Sequence, residues 1–390
     1  MHIENTNVLP DIISKASFDT ICLSHLRWDF VYQRPQHLLS RFTKNGRVFF
    51  FEEPIFSDNP THLNITEKSD NLFVLIPHIS NADREEKDIN QIQRAMLDEA
   101  IRSKEIDNFI LWFYTPMAMD FAGDVEPLAT VFDCMDELSA FKFAPPALIE
   151  NEKRLLSKAD LVFTGGQSLF EAKKDKHERV FAFPSSIDTA HFNQAREMEE
   201  DPADQKSIGH PRFGFCGVID ERMDIELIGQ IADLRPEWKF VMIGPVVKIS
   251  EEDLPHRANI HYLGGKNYND LPAYLSGWDV AIMPFAINEA TRFISPTKTP
   301  EYLAAGLPVI STPIRDVVRP YYDKGLVYIA STAEEFVAAG DKALNESPDD
   351  RLQKADEFLA QNSWDKTWSE MNRLIAETIA EKPKTAAQTV

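Results

Sequence analysis

The sequence predicts an α/β protein built from two doubly wound, Rossmann-like domains that face a central cleft. Three observations carry this reading. Short, nearly continuous apolar runs alternate with amphipathic helical patterns in both halves, as expected for parallel strands covered on both faces. The alternation breaks once, at the acidic and polar stretch "NQAREMEEDPADQKSIGHP" (193–211). Several of the apolar runs end in glycine or in a polar loop, where open α/β sheets present their ligand sites.

In the first half the strands are read at "TICLSH", "RVFFFEE", "LFVLIP", "FILWFY", "ATVFDC", "LVFTGG" and "RVFAFPSS". Helices are read at Pro35–Lys44, "NQIQRAMLDEAIRSK" and "PALIENEKRLLSKA", where apolar residues recur at helical spacing. The stretch 193–211 has no periodicity that calls for a core and reads as the linker. Beyond it, "RFGFCGV", "KFVMIGP", "NIHYLG", "VAIMPF", "LPVIST" and "GLVYIA" read as strands. "IELIGQIADL", "LPAYLSG", "PEYLAAG" and "AEEFVAAGDKALN" read as their helices. The closing "SWDKTWSEMNRLIAETIAEK" is an amphipathic helix with Trp364, Trp368, Met371, Leu374 and Ile375 near one stripe. The tail "PKTAAQTV" reads as disordered. The boundaries are 1–195 for the first domain, 208–362 for the second, and 363–390 for the final helix and tail.

Composition sets the limits. The chain has 390 residues, 43% hydrophobic and 26% charged, ordinary values for a globular enzyme of two domains. A net charge of −21 argues against a nucleic-acid partner, whose phosphates need a basic surface. The three cysteines are far apart and without metal-type spacing, and they read as buried thiols in a reducing compartment. The N-terminus lacks the regions of a signal peptide, and no apolar run reaches the roughly 20 residues that span a bilayer. The expectation is a cytoplasmic protein with at most peripheral contact with the inner membrane face.

The stretch "SPTKTPEYLAAGLPVIST" (295–312) concentrates the chemistry. Ser295, Thr297 and Thr299 offer caps for a short helix that starts beside a strand end, and Gly306 with Pro308 ends it. A helix N-terminus with Lys298 favours an anion such as phosphate, and Glu301 suits a diol. A surface lysine and a capping carboxylate account for the pattern equally well. Gly217 closes the strand "RFGFCG", and Arg222 follows it on a loop, either meeting a diphosphate or pairing with a neighbouring acid. Gly244 in "MIGP" and Gly264 in "HYLGG" leave backbone open for a flat base. In the first half, "HLRWDFVYQRPQHLLSRF" sets Arg34, Gln36 and His37 around a helix start with Trp28 and Asp29 in the loop before it, as a polar, aromatic acceptor or sugar-binding wall or as capping and packing, and it lacks the G-x-G-x-x-G fingerprint of a dinucleotide site. "FDCMDELSAF" places Asp133 and Asp136 beyond a strand, as base or as N-cap.

On these motifs the chain resembles the nucleotide-sugar-dependent glycosyltransferases of the GT-B fold, and among them the bacterial enzymes of surface and capsular polysaccharides of the teichuronic-acid type. The resemblance runs from "YQRPQHLLSRF" through "FDCMDELSAF" and "FPSSIDTAHF" to "HYLGGKNYNDLPAYLSGWDVAIMPF", and it is most specific in "SPTKTPEYLAAGLPVIST" and "SWDKTWSEM". It implies an acceptor-binding first domain, a donor-binding second domain and a final helix that crosses back to the first. It implies that Glu301 holds the nucleotide ribose, and that Lys298 lies at the phosphates with Arg222 close by. Gly217, Gly244, Gly264, Ser295 and Thr297 complete the donor set. The donor would be a UDP- or GDP-linked sugar and the acceptor a glycan or lipid-linked hydroxyl, with no cofactor and no metal. An inverting reaction needs a base, and Asp133, Asp136, His37 and Asp29 are its candidates. Where retaining relatives carry the earlier of two glutamates, this chain has Phe293, and its nearest upstream glutamate is Glu289. An epimerase on the same fold and an inactive nucleotide-sugar-binding subunit are the rival readings.

Overall fold

The computed structural model describes residues 17–382 and contains two sheets. The first is formed by β1 (Asp19–Ser24), β2 (Val48–Glu52), β3 (Ile55–Ser57), β4 (His62–Ser69), β5 (Leu72–Ser80), β6 (Phe109–Phe113), β7 (Ala129–Cys134), β8 (Leu161–Thr164) and β9 (Val180–Ala182). Its order is β3-β5-β2-β1-β6-β7-β8-β9, with β4 added antiparallel to β5. The second holds β10 (Arg212–Cys216), β11 (Lys239–Ile243), β12 (Ile260–Gly264), β13 (Val280–Met283), β14 (Val309–Ser311) and β15 (Tyr328–Ile329) in the order β12-β11-β10-β13-β14-β15. All pairings in this second sheet are parallel.

Strand alternation explains why the strands are apolar throughout. Ile21, Leu23, Phe49, Phe51, Leu111 and Phe113 point to one face of the first sheet, while Cys22, Phe50, Ile110 and Trp112 point to the other. Both faces carry a full hydrophobic layer, so neither set can be polar. The second sheet repeats this, with Phe213, Phe240, Met242 and Ile282 on one side and Val241, Ile243, Ala281 and Met283 on the other. Gly214 in β10 leaves room for an indole, because a Cβ there would lie 1.9 Å from the ring of Trp278.

All thirteen strands read from the sequence are present. The two it lacks are β3 and β4. β4 is exposed along most of its length and carries too few apolar residues to be seen as a strand. The stretch 193–211 is a correction. It does not run free of a core, since Gln205 is fully buried, accepts from Trp278 Nε1 at 3.0 Å and donates to Tyr274 O at 2.9 Å. Arg196 there donates to Ala304 O at 2.7 Å and pairs with Asp356. Ala195 and Ile208 enter the core of the second half, but most of its contacts are polar and specific, which hydrophobic periodicity does not register.

The final helix, Trp364–Glu381, packs on the helix Arg34–Phe42 and on β7. Trp364, Met371, Leu374 and Ile375 enter the core of the first sheet. The expectation for the tail falls on residues 383–390, outside the described residues. Further contacts join the two halves at their base. Asp316 of the second half accepts from Ser168 N at 3.1 Å and from Ser168 Oγ, and Ser185 Oγ donates to Ser295 O at 2.7 Å.

Candidate active site

The carboxyl ends of both sheets open onto one cleft. In the second half its floor is backbone. Gly217 N donates to Ile243 O at 2.8 Å, and Gly244 N donates to Gly264 O at 3.0 Å. Gly244 has φ +145°, and a Cβ on it would sit 1.7 Å from Gly217 O, so only glycine permits this approach. Above the floor stands the short helix Lys298–Ala304. Tyr302, buried on that helix, accepts from Cys216 N at 2.8 Å through its hydroxyl and so ties the helix to the end of β10. This anchor brings Lys298 and Glu301 over Gly217.

Lys298 Nζ lies 3.1 Å from Glu301 Oε2, with both side chains largely buried. Burial disfavours the ammonium, but Glu301 and then Cys216 outweigh it and hold the Lys298 pKa above the ordinary lysine range. The Lys298 ammonium is thus retained in a partly dry cleft, where it interacts more strongly than in water.

Two cavities meet at Lys298. The larger, about 810 Å³, runs between the sheets and is lined by Gly217, Gly244, Lys298 and Glu301 from one side and by Trp28 and Asp29 from the other. The smaller, about 150 Å³, is lined by Arg34, Asp136, Arg222, Ser295, Thr297 and Lys298. Arg222 pairs with Asp220, Nη2 to Oδ2 at 2.7 Å, and also faces this cavity, so the pairing and the cleft-facing readings hold together. Gly264, with φ +68°, turns the chain beside Gly265, which lines the larger cavity.

The four candidate bases separate. Asp136 faces the smaller cavity, and burial pushes its carboxyl up to about 6, against Arg222 and Arg34, which favour the charge. Asp29 lies at the rim of the larger cavity and pairs with Lys68 at 2.6 Å, with its side chain 68% exposed. Asp133 is a correction. It is fully buried, and its two oxygens accept from Arg34 Nε at 3.0 Å and Nη2 at 2.8 Å, which leaves it no free face for a substrate. His37 is the second correction. It lines neither cavity, stacks on Trp364 with centroids 4.7 Å apart and is buried, which lowers its pKa to about 3. In "RPQH", Arg34 thus anchors Asp133 while lining the smaller cavity, and His37 serves as a dock for the final helix.

Sequence reasoning passed over Tyr32, His191 and Tyr268, which line the larger cavity. Tyr268 stacks on Tyr32 at 4.4 Å and on His191 at 4.3 Å. Their one signal was an aromatic beside a glycine-rich strand end, in "GGKNYND". Phe293 packs against the first sheet's core, so that position makes a domain contact. Among the described residues no group of three or more His, Cys, Asp or Glu side chains is arranged to hold a metal ion, and no helix is long and apolar enough to cross a membrane.

Comparison with known proteins agrees with this architecture. The family model described as glycosyl transferases group 1 matches residues 210–346. A curated relative, the "Putative teichuronic acid biosynthesis glycosyltransferase TuaH" of Bacillus subtilis (strain 168), is 25% identical over 268 residues, or 64% of this chain. The match spans 62% of that relative's length. Among solved structures, sucrose-phosphate synthase from Thermosynechococcus elongatus superposes with a TM-score of 0.71 at 12% identity, covering 94% of this chain and 100% of the other. A UDP-forming trehalose-phosphate synthase from Burkholderia xenovorans gives 0.65 at 14% identity, with the same coverage. These likenesses give the fold, GT-B, and the part of it that resembles the group 1 glycosyl transferases is residues 210–346.

Proposed function

We propose that this protein is a glycosyltransferase that moves a sugar from a nucleoside-diphosphate sugar to a hydroxyl of a glycan or lipid-linked acceptor in surface polysaccharide synthesis. The observation that carries the reading is the Lys298–Glu301 pair, set on a helix start over the glycine floor of an interdomain cleft. The group 1 domain and the teichuronic acid relative support it.

In this reading Glu301 accepts from the ribose hydroxyls. Lys298 and Arg222 meet the diphosphate and stabilise the charge that grows on it as the glycosidic bond breaks. Because the protein supplies these cations itself, the reaction runs without a divalent metal. Asp136, on the first-domain side of the smaller cavity, takes the acceptor proton or orients its hydroxyl. The enzyme works at the inner membrane face on acceptors presented there.

The test is incubation with UDP- and GDP-sugars, with and without EDTA. Slow release of nucleoside diphosphate, unaffected by EDTA, is expected. Binding without release would instead favour a nucleotide-sugar-binding subunit, the reading suggested by Phe293 in place of a glutamate. EDTA inhibition reversed by magnesium or manganese would overturn the metal-free part.

A further inference from the structure

A third cavity, about 280 Å³, lies wholly in the first domain and has no part in the donor site. It sits at the carboxyl ends of β1 and β2 and just past β6, where Ser24, Glu52 and Thr115 line it. Doubly wound sheets place ligands at such ends. Phe51, Phe56 and Phe121 form its walls, with the Phe51 and Phe121 rings 5.7 Å apart.

Ser24, Glu52 and Thr115 accept hydrogen bonds from the protein, but other polar side chains of the lining are unspent. Gln93, on the helix Ile89–Ser103, is 7% exposed, and among the described residues its side-chain amide has no hydrogen-bond partner. Its amide atoms are open to the cavity rather than enclosed by protein, so a ligand there can meet them. Asn90 lies three residues earlier, on the same side of that helix, and also lines the cavity. Glu53 adds a carboxylate. The corner that carries it is fixed, because Arg27 Nη1 donates to Glu52 Oε2 at 2.9 Å and to Glu53 O at 2.5 Å. Arg27 Nη2 reaches Pro54 O at 3.3 Å.

Aromatic walls, two primary amides and a carboxylate match a sugar ring. Its C–H faces pack on the phenyl rings, and its hydroxyls donate to the carboxylate and exchange bonds with the amides. The Glu53 carboxylate opposes an anionic ring. The cavity also borders the main cleft: the second oxygen of Glu52 accepts from Trp28 N at 2.8 Å, and Trp28 lines the larger cavity. We infer that this cavity holds a neutral sugar residue of the acceptor glycan, remote from the hydroxyl that reacts. The inference rests on the glycosyltransferase reading and adds the class of acceptor to it.

Saturation-transfer NMR on the full chain tests it, with neutral tetrasaccharides of glucose, mannose and galactose and with tetragalacturonate as probes. At least one neutral probe should bind, with the saturation concentrated on one terminal residue. Gln93→Leu and, separately, Phe56→Ala should weaken that binding by about tenfold or more, while UDP or GDP affinity and donor hydrolysis stay within about twofold of the wild type. The two variants guard against loss of fold in either one. Absence of binding by every neutral probe, equal or tighter binding of tetragalacturonate, or unchanged binding in both variants overturns the inference. Failure of the wild type to bind any nucleotide strikes the proposed function instead, so the two can fail separately.

Discussion

Tyr32 of the first domain and Tyr268 of the second stack across the cleft, with ring centroids 4.4 Å apart and planes 28° from parallel. Tyr268 is held on its other side by His191, whose Nε2 lies 3.0 Å from Tyr268 O. His37 meets Tyr268 edge-on at 5.5 Å and itself stacks on Trp364 of the final helix. One aromatic column therefore joins both domains and the returning helix beside the donor cavity.

Loss of this stack should favour the open cleft. An aromatic pair contributes about 0.5–1.5 kcal/mol beyond its buried area. Tyr32→Ala should thus raise the donor KM by roughly 2–13-fold, converting that energy at RT, with small-angle scattering showing a larger radius. An unchanged radius and KM would leave the column without a role in closure.

Lys298 and Glu301 should differ in what their loss does. Glu301→Ala should weaken nucleoside diphosphate binding by about 1–3 kcal/mol, as for a lost hydrogen bond to a charged group. Lys298→Ala should lower kcat more than it weakens binding, because phosphate charge grows toward the transition state. Calorimetry with UDP and GDP, beside steady-state rates, separates the two effects.

Asp136 should set an acid limb in the pH profile. Its carboxyl is pushed up to about 6, so turnover that needs the carboxylate rises as pH passes through 6, and Asp136→Asn removes both the limb and most of the rate. The stability effect has the opposite direction. Between the unfolded carboxyl pKa near 4 and the folded value near 6, the folded state holds the extra proton, so stability falls as pH rises through this window. Asp136→Asn should therefore raise stability at neutral pH, by about 1–2 kcal/mol once partial solvent screening is allowed for. Thermal melts at pH 4 and pH 7.5 measure it.

The domain base depends on Asp316. Its buried carboxylate accepts from the Ser168 backbone and hydroxyl of the other domain. Asp316→Ala leaves these donors unanswered and should cost about 1–3 kcal/mol. Asn at this position keeps the acceptor and should recover part of the loss. Equal melting curves for Ala, Asn and the parent would remove Asp316 from the contact that joins the domains.

Trp364→Ala should destabilise the first domain although it lies at the far end of the sequence. A fully buried indole removed from a core costs about 3–5 kcal/mol. Removal of residues after Asn362 deletes Met371, Leu374 and Ile375 as well, and should leave the first sheet aggregation-prone. Limited proteolysis would show cuts in the first half before the second.

The sequence alone determined the architecture. Parallel strands covered on both faces must be apolar throughout, and that signal survives without any knowledge of neighbours, so all of the buried strands were legible. Its stripe of Trp364, Met371, Leu374 and Ile375 also told that the last helix packs, because an apolar face of that size must be covered. The pair Lys298 and Glu301 was legible because one helical turn sets its spacing locally. What faces the cleft was decided by the tertiary structure. Asp133 and Asp136 are three residues apart and chemically alike, yet Arg34, 99 residues away in sequence, occupies one carboxylate and leaves the other at the cavity. His37 beside a helix start had the same standing as Asp29 until Trp364 covered it. Tyr32 and Tyr268 gain their meaning only when two domains meet. Burial, pKa and partnership arise from groups far apart along the chain, and local pattern holds no record of them.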